Sequence, residues 1–290
     1  MSGRKSRAAF RRAVILSAAV LAICSNRTQA IGVPIPHGTL ELIAEKDWIT
    51  AGRPFNVALR FELEKGWHVY WVNPGDSGEP PRVTWDLPAG IKAGAIEWPA
   101  PRRLGTPTIV DYGYEDGVTL IVPMRADATL SSQNPVQIAA NVKVLVCREM
   151  CIPGKAQVSL ALPVKPQPPP ANSQSTHFFT EARKAWPQPA LASWKFFIAQ
   201  TNDSFVLTAN LGRKITDAIF FPLAESQISN AAPQTLVPTA TGFTLTLRKS
   251  EQLLKPIARL KGVLVLSGEQ SYSIDVPIGK STEASAKGSG

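Results

Sequence analysis

The chain has 290 residues, 44% of them hydrophobic and 18% charged, and its 31 Lys and Arg outnumber its 22 Asp and Glu for a formal charge of +9. That hydrophobic share excludes an intrinsically disordered chain, and no run of about 20 apolar residues is present to cross a bilayer. The first 30 positions hold six basic residues and no acidic ones, so the charge beyond them is only +3 and supports no nucleic-acid reading.

Those 30 residues read as an export signal. Arg4, Lys5, Arg7, Arg11 and Arg12 form a basic start, Ala13 to Ile23 an apolar core of 11 residues, and Thr28-Gln29-Ala30 a small-residue cleavage site. A lipoprotein reading at Leu21-Ala22-Ile23-Cys24 is weaker, because Ile23 stands where a small residue is expected. The Arg11-Arg12 pair fits twin-arginine export poorly. Cleavage near Ala30 would deliver a periplasmic product that does not span the membrane, and would remove Cys24. Cys147 and Cys151 would remain as one potential pair, which suits an oxidising compartment.

Residues 31–164 read as the first domain. Strand-like runs are expected at 39–44, 55–63, 67–72, 82–86, 95–98, 118–124, 136–146 and 156–164. Val57, Leu59 and Phe61 alternate with Ala58, Arg60 and Glu62, the period of a half-buried strand. Asn73-Pro74-Gly75-Asp76, Leu87-Pro88-Ala89-Gly90 and Glu115-Asp116-Gly117 are turn signals between runs. Short strands at this spacing, without a long helical pattern, point to an antiparallel β-sandwich of immunoglobulin-like type.

Cys147-Arg148-Glu149-Met150-Cys151 is the segment richest in chemistry. On one continuous strand its two Cα atoms would stand about 13 Å apart, whereas a disulfide needs roughly 4.4–6.8 Å. The chain must therefore reverse or coil between them. A three-residue hairpin loop or one helical turn would do so, and the flanking β-branched runs with Pro153-Gly154 favour the hairpin. So small a ring stabilises by only about 2 kcal/mol in the chain-entropy model, against roughly 4–5 for a hundred-residue loop.

Three readings stay open from these residues alone: a structural hairpin disulfide, a redox-active dithiol, or a soft Cu(I) site completed by Met150. Lys143, Arg148 and Lys155 would favour a reactive thiolate, and Glu149 opposes them. Zinc is disfavoured because His37, His68 and His177 are scattered. Trp67, Trp71, Trp85 and Trp98 read as core or rim packing, and His68 as a packed strand residue. Asp111, Glu115 and Asp116 sit in a Tyr- and Gly-rich stretch expected to be a loop of solvated charges. No Ser-His-Asp arrangement or phosphate-binding glycine loop is present.

Pro163, Pro166, Pro168, Pro169 and Pro170 mark residues 165–176 as a Pro-rich linker, a semi-rigid spacer. Beyond it Phe178, Phe179, Ala182, Ala185 and Trp186 recur at helical spacing until Pro187. Strands are expected at 194–199, 205–209, 218–221, 243–248, 262–266 and 272–277. Residues 177–280 thus read as a second, smaller β-sandwich, and 281–290 as a disordered tail. The expected fold is all-β, with two tandem immunoglobulin-like antiparallel β-sandwich domains joined by a Pro-rich linker.

The run 142–164, with Cys147, Cys151 and its Cys-Ile-Pro step, resembles the N-terminal periplasmic domain of the DsbD thiol:disulfide interchange family. Asp111-Tyr112-Gly113-Tyr114-Glu115 before the 118–124 strand looks like that family's cap segment, and the stretch from Trp67 to Gly75 like its early strand and turn. Ile219-Phe220-Phe221-Pro222 and Asn230-Ala231-Ala232-Pro233-Gln234 are similar to the ScsB-like branch, linked to copper-stress tolerance. The likeness covers most of residues 37–278.

The resemblance implies a thiol–disulfide oxidoreductase of protein-disulfide reductase type, with Cys147 and Cys151 as the exchanging pair. Asp111, Tyr112, Tyr114 and Glu115 would shield or tune it, with no cofactor and no metal. Partners would be exported thioredoxin-like or other thiol–disulfide proteins. Better-known members space these cysteines by five residues rather than three and continue into a membrane shuttle, so a separate membrane electron donor is expected here. The alternative is a non-enzymatic module with a structural disulfide, or a Cu(I)-binding copper-tolerance protein.

Overall fold

The computed structural model describes residues 32–131, 135–170, 174–267 and 270–279. The expected signal segment and C-terminal tail lie outside them. In chain order the first strands are β1 (Val33–Ile35), β2 (Gly38–Ala44), β3 (Pro54–Leu63), β4 (His68–Gly75), β5 (Arg82–Asp86) and β6 (Ile91–Ala93). They continue as β7 (Arg102–Gly105), β8 (Val110–Glu115), β9 (Gly117–Ala126), β10 (Val136–Cys147) and β11 (Cys151–Leu162).

Period-two alternation folds them into two facing antiparallel sheets. One has the order β1-β2-β3-β9-β6, and the other β11-β10-β4-β8-β7. Strand β5 lies beside β10 along Ala139 to Lys143, while β4 meets β10 only where His68 faces Cys147. Val57, Leu59 and Phe61 from one sheet pack on Val69, Trp71, Val144 and Val146 from the other. This packing of alternating inward residues from two sheets is the sandwich expected from the sequence.

Two local readings change. Asp111 to Glu115 is strand β8, held between β4 and β7, and not a loop. Tyr112 and Tyr114 alternate inward, and Gly113 lets the strands close up: a Cβ there would stand 2.3 Å from the Val69 carbonyl oxygen. The 95–98 run makes only the single bridge Glu97 to Ile121, and the pairing moves to β6. Pro99 and Pro101 beyond it have no N–H to extend a ladder.

The proline run is tied to the first sandwich. The Gln167 carbonyl accepts from Trp48 Nε1 at 2.8 Å and Thr50 Oγ1 at 3.1 Å, and the Lys165 N–H donates to the Ile49 carbonyl. Helix α1 (Thr176–Lys184) then buries Phe179 and Ala182 against Ile43, Ala58 and Ile121 on the outer face of the β2-β3-β9 sheet. Arg183 grips the Glu45 carboxylate with both guanidinium nitrogens, at 2.6 and 2.8 Å, and holds its pKa below the usual carboxylate value.

The second half comprises β12 (Gln188–Pro189), β13 (Lys195–Gln200), β14 (Ser204–Asn210), β15 (Ala218–Pro222), β16 (Thr235–Pro238), β17 (Gly242–Arg248), β18 (Arg259–Leu266) and β19 (Gln270–Pro277). Sheets β12-β19-β18-β15 and β13-β14-β17-β16 enclose Ile198, Phe205, Leu207, Phe220, Phe243 and Leu264. The fold is therefore all-β, two tandem sandwiches with one helix among the described residues. Phe221 and Val263 of the second sandwich complete the first core, where the Phe221 ring meets Trp71 and Tyr112 edge-on.

Candidate disulfide site

Strands β10 and β11 form a hairpin whose last rung is Cys147 opposite Cys151. Their Cα atoms are 4.1 Å apart and the sulfurs are bonded at 2.05 Å. Arg148, Glu149 and Met150 make the turn, closed by a 3.1 Å hydrogen bond from the Arg148 N–H to the Met150 carbonyl. Directly opposed residues of antiparallel strands project to the same face of a sheet. His68 on β4 opposes Cys147 on one side and Glu115 on β8 on the other. Cys151, Cys147, His68 and Glu115 thus form one row across four strands, on the face turned away from the sandwich core.

Burial along this row is unequal. Cys147 is only 2% exposed, whereas Cys151 is exposed and Met150 beside it is 66% exposed. Tyr70, two residues along β4 from His68, is fully buried and donates its hydroxyl to Cys147 Sγ at 2.9 Å. The same oxygen lies 3.4 Å from Cys151 Sγ. Burial, aided by the negative charge of Asp111, pushes the Tyr70 pKa up to about 12, so the phenol keeps its proton.

A short segment after β4 covers that ring. Gly78 lies on its face with φ of +79°, and a Cβ there would stand 2.1 Å from Tyr70 Cζ, so only glycine fits. Ser77 donates its N–H and its hydroxyl to Asp111 Oδ1, at 3.0 and 2.9 Å. Burial raises the Asp111 pKa, and the two Ser77 bonds oppose that rise. His68 is 6% exposed and its Nε2 has no hydrogen-bond partner. Burial lowers its pKa below the usual imidazole value, against the opposing charges of Asp111 and Glu115.

The residues expected to shield or tune the pair divide by face. Asp111 and Glu115 share the outer face with the sulfurs, though Glu115 is exposed at its far end. Tyr112 and Tyr114 turn into the sandwich, donating to Asn230 Oδ1 and to the Pro99 carbonyl, each at 2.8 Å. Burial raises both their pKa values. Strand alternation is the reason for the division.

The expected thiolate helpers do not converge either. Lys143 faces Lys155 four rungs up the hairpin, about 13 Å from the cysteines. Arg148 lies over the ring of Trp67, which also stacks parallel on His37 at 3.6 Å. Among the described residues no group of three or more His, Cys, Asp or Glu side chains is arranged to hold a metal ion.

Tyr70, Ser77 and Gly78 are the site residues that sequence reasoning missed. Tyr70 had a signal, since it shares the outward parity of His68 on an expected strand.

Residues 41–163 match the family model described as "Thiol:disulfide interchange protein DsbD, N-terminal". This segment belongs to the DsbD N-terminal family. Both sandwiches of the chain align with the crystal structure of the N-terminal periplasmic domain of ScsB from Proteus mirabilis, with a TM-score of 0.65. The alignment covers 86% of this chain and 97% of that one at 15% identity, a likeness of fold. The YadV chaperone aligns over 82% of this chain and 99% of its own at 10% identity, but its TM-score is 0.23. The BcpA*(D312A) major pilin subunit of Bacillus cereus aligns over 84% and 67% at 10% identity, with a TM-score of 0.28. No curated protein matches the chain. The DsbD N-terminal domain thus places its one disulfide at the end of a hairpin, and no helix of the described residues is long and apolar enough to cross a membrane.

Proposed function

We propose that this chain is an exported thiol–disulfide exchange protein. It relays electrons between a thiol donor and thioredoxin-like or other thiol–disulfide partners in the periplasm, after cleavage of its signal near Ala30. The observation that carries this reading is the unequal pair: an exposed Cys151 bonded to a buried Cys147 that accepts the Tyr70 hydroxyl.

The chemistry follows from that inequality. A donor thiolate reaches Cys151 Sγ and forms a mixed disulfide there. The Cys147–Cys151 bond breaks, and its electron pair leaves on Cys147 Sγ as a thiolate that accepts the Tyr70 O–H. The donor's second thiolate then displaces Cys151. The donor departs as a disulfide, and this protein holds two thiols and two more electrons.

In the forward transfer the Cys151 thiolate attacks the partner's disulfide. Cys147 resolves the mixed species, and the partner leaves reduced. Asp111 supports the step indirectly, by seating Ser77 and by keeping Tyr70 protonated. Glu115 ends the row on β8, exposed and three strands away from Cys151.

Cys147→Ala leaves the exposed thiol without its resolving partner. Expressed in a periplasm with its partners present, it should accumulate a mixed disulfide with a thioredoxin-like protein, and Cys151→Ala should accumulate far less. Absence of any mixed disulfide from both variants overturns the relay.

A further inference from the structure

The second sandwich carries no cysteine and is remote from the sulfurs in sequence, yet it touches the segment that covers Tyr70. We propose that Asn230 of the second sandwich is a positioning residue for the exchange site, holding residues 73–78 down so that Gly78 seats Tyr70 against the sulfurs. The inference rests on the exchange reading of Cys147 and Cys151 and adds a role for the second half of the chain.

The contacts form a continuous path. Asn230 is 7% exposed, and its side-chain amide and its carbonyl all bond to the first sandwich. Its Nδ2 donates to Asp76 Oδ1 at 2.9 Å, its Oδ1 accepts from Tyr112 at 2.8 Å, and its carbonyl accepts from Arg103 at 2.6 Å. Asp76 in turn accepts the Val110 N–H on Oδ2 at 2.8 Å, fixing the segment to β8. A second tether lies at the segment's start. Asn73, 1% exposed, donates to the Pro222 carbonyl at 2.7 Å and to the Ala224 carbonyl at 3.3 Å.

Both tethers come from the second sandwich, and Gly78 on the Tyr70 ring follows only two residues after Asp76. Buried amides satisfied on every side in this way rigidify what they join, and losing one bond leaves the others buried without a partner. Without the tethers, the end of β4 and the turn beyond it, residues 73–78, would keep their bonds to Val110 and Asp111 of β8 but lose those to the second sandwich.

The effect on chemistry runs through Tyr70. A loosened segment admits water to the ring and frees it to move. Its hydroxyl then spends less time on Cys147 Sγ, so the leaving thiolate is less stabilised and reduction slows.

Asn230→Asp tests this, because it keeps the acceptor for Tyr112 but replaces the donor to Asp76 with a repelling carboxylate. Asn230→Leu removes both. Phe205→Leu, in the core of the second sandwich, serves as a control that lowers stability without touching the path. Two readouts are taken on the full chain: amide hydrogen exchange at residues 76–78, and the rate of reduction of the Cys147–Cys151 disulfide by dithiothreitol, which is itself oxidised to its cyclic disulfide.

In both Asn230 variants exchange should rise and reduction slow, each by about tenfold, the factor for losing one hydrogen bond to a charged group. The Phe205→Leu control should leave both unchanged. Unaltered exchange and reduction in Asn230→Asp, or equal changes in the control, overturn the proposal. Dithiothreitol needs no protein partner, so this result stands apart from that of the mixed-disulfide experiment: a relay that fails there leaves the tether intact, and the reverse.

Discussion

Tyr70 Oη lies 2.9 Å from Cys147 Sγ although the two residues are 77 positions apart in the chain. One sits in β4 and the other at the end of β10, and the sheet joins them through the single rung His68–Cys147. A buried phenol with its pKa pushed up to about 12 remains a donor at every pH at which a cysteine exchanges. Tyr70→Phe should therefore slow reduction by dithiothreitol about tenfold, while changing stability by only about 1 kcal/mol. Stopped-flow reduction and urea unfolding measure the two quantities separately.

His68 gives the site a pH dependence. Burial holds its folded pKa below the unfolded value of 6.5. As pH falls below 6.5 the unfolded chain takes up a proton that the folded one refuses, so stability falls until the lowered folded pKa is reached. Asp111 works the other way at lower pH, since its raised pKa makes the folded state bind the extra proton. Urea midpoints at pH 7.5 and pH 5.5 should differ in the native protein. In His68→Phe that difference should shrink, and an unchanged difference would place the titration elsewhere.

Gly78→Ala introduces a Cβ that would stand 2.1 Å from Tyr70 Cζ, at a backbone angle L side chains rarely adopt. The variant should lose about 1–3 kcal/mol, the range for a strained backbone position, and more if the ring does not yield. Its tyrosine absorbance titration should also begin at lower pH than in the native protein, because displacing the segment hydrates Tyr70.

Phe179 of α1 is fully buried against Ile43, Ala58 and Ile121, all on the first sandwich. Phe179→Ala should cost about 3–5 kcal/mol. Hydrogen exchange should rise in α1 and along the outer face of β2, β3 and β9, with β14 and β17 unaffected.

Much of this architecture is legible in the residues. Alternation in β3 and the four-residue spacing of Cys147 and Cys151 lead directly to strand and hairpin, because both depend on neighbours along the chain, whereas Pro153 and Gly154 lie inside β11, opposite Leu145 and Val144. Strand β8 is less legible: Asp, Gly and Tyr in succession carry turn composition, and only the β4 ladder gives Gly113 its reason. The amphipathic face of α1 is plain, but nothing local says that its partner is a sheet more than fifty residues upstream.

The site divides along the same line. Both cysteines are apparent by type and spacing, while Tyr70 and Asn230 matter only through register and packing. Asn230 meets Asp76 across 154 positions, a contact that no periodicity encodes. Alternation through β8 sends Tyr112 and Tyr114 inward and leaves Asp111 and Glu115 outside.

The reduction potential of the Cys147–Cys151 pair tests the central claim most directly. Equilibration against glutathione or dithiothreitol buffers, with the thiols counted by alkylation, gives it in one titration. A working exchange couple should lie at about −180 to −270 mV, within reach of thioredoxin-like partners. A value below about −300 mV would mark a bridge that exported thiols do not open, and would contradict the relay.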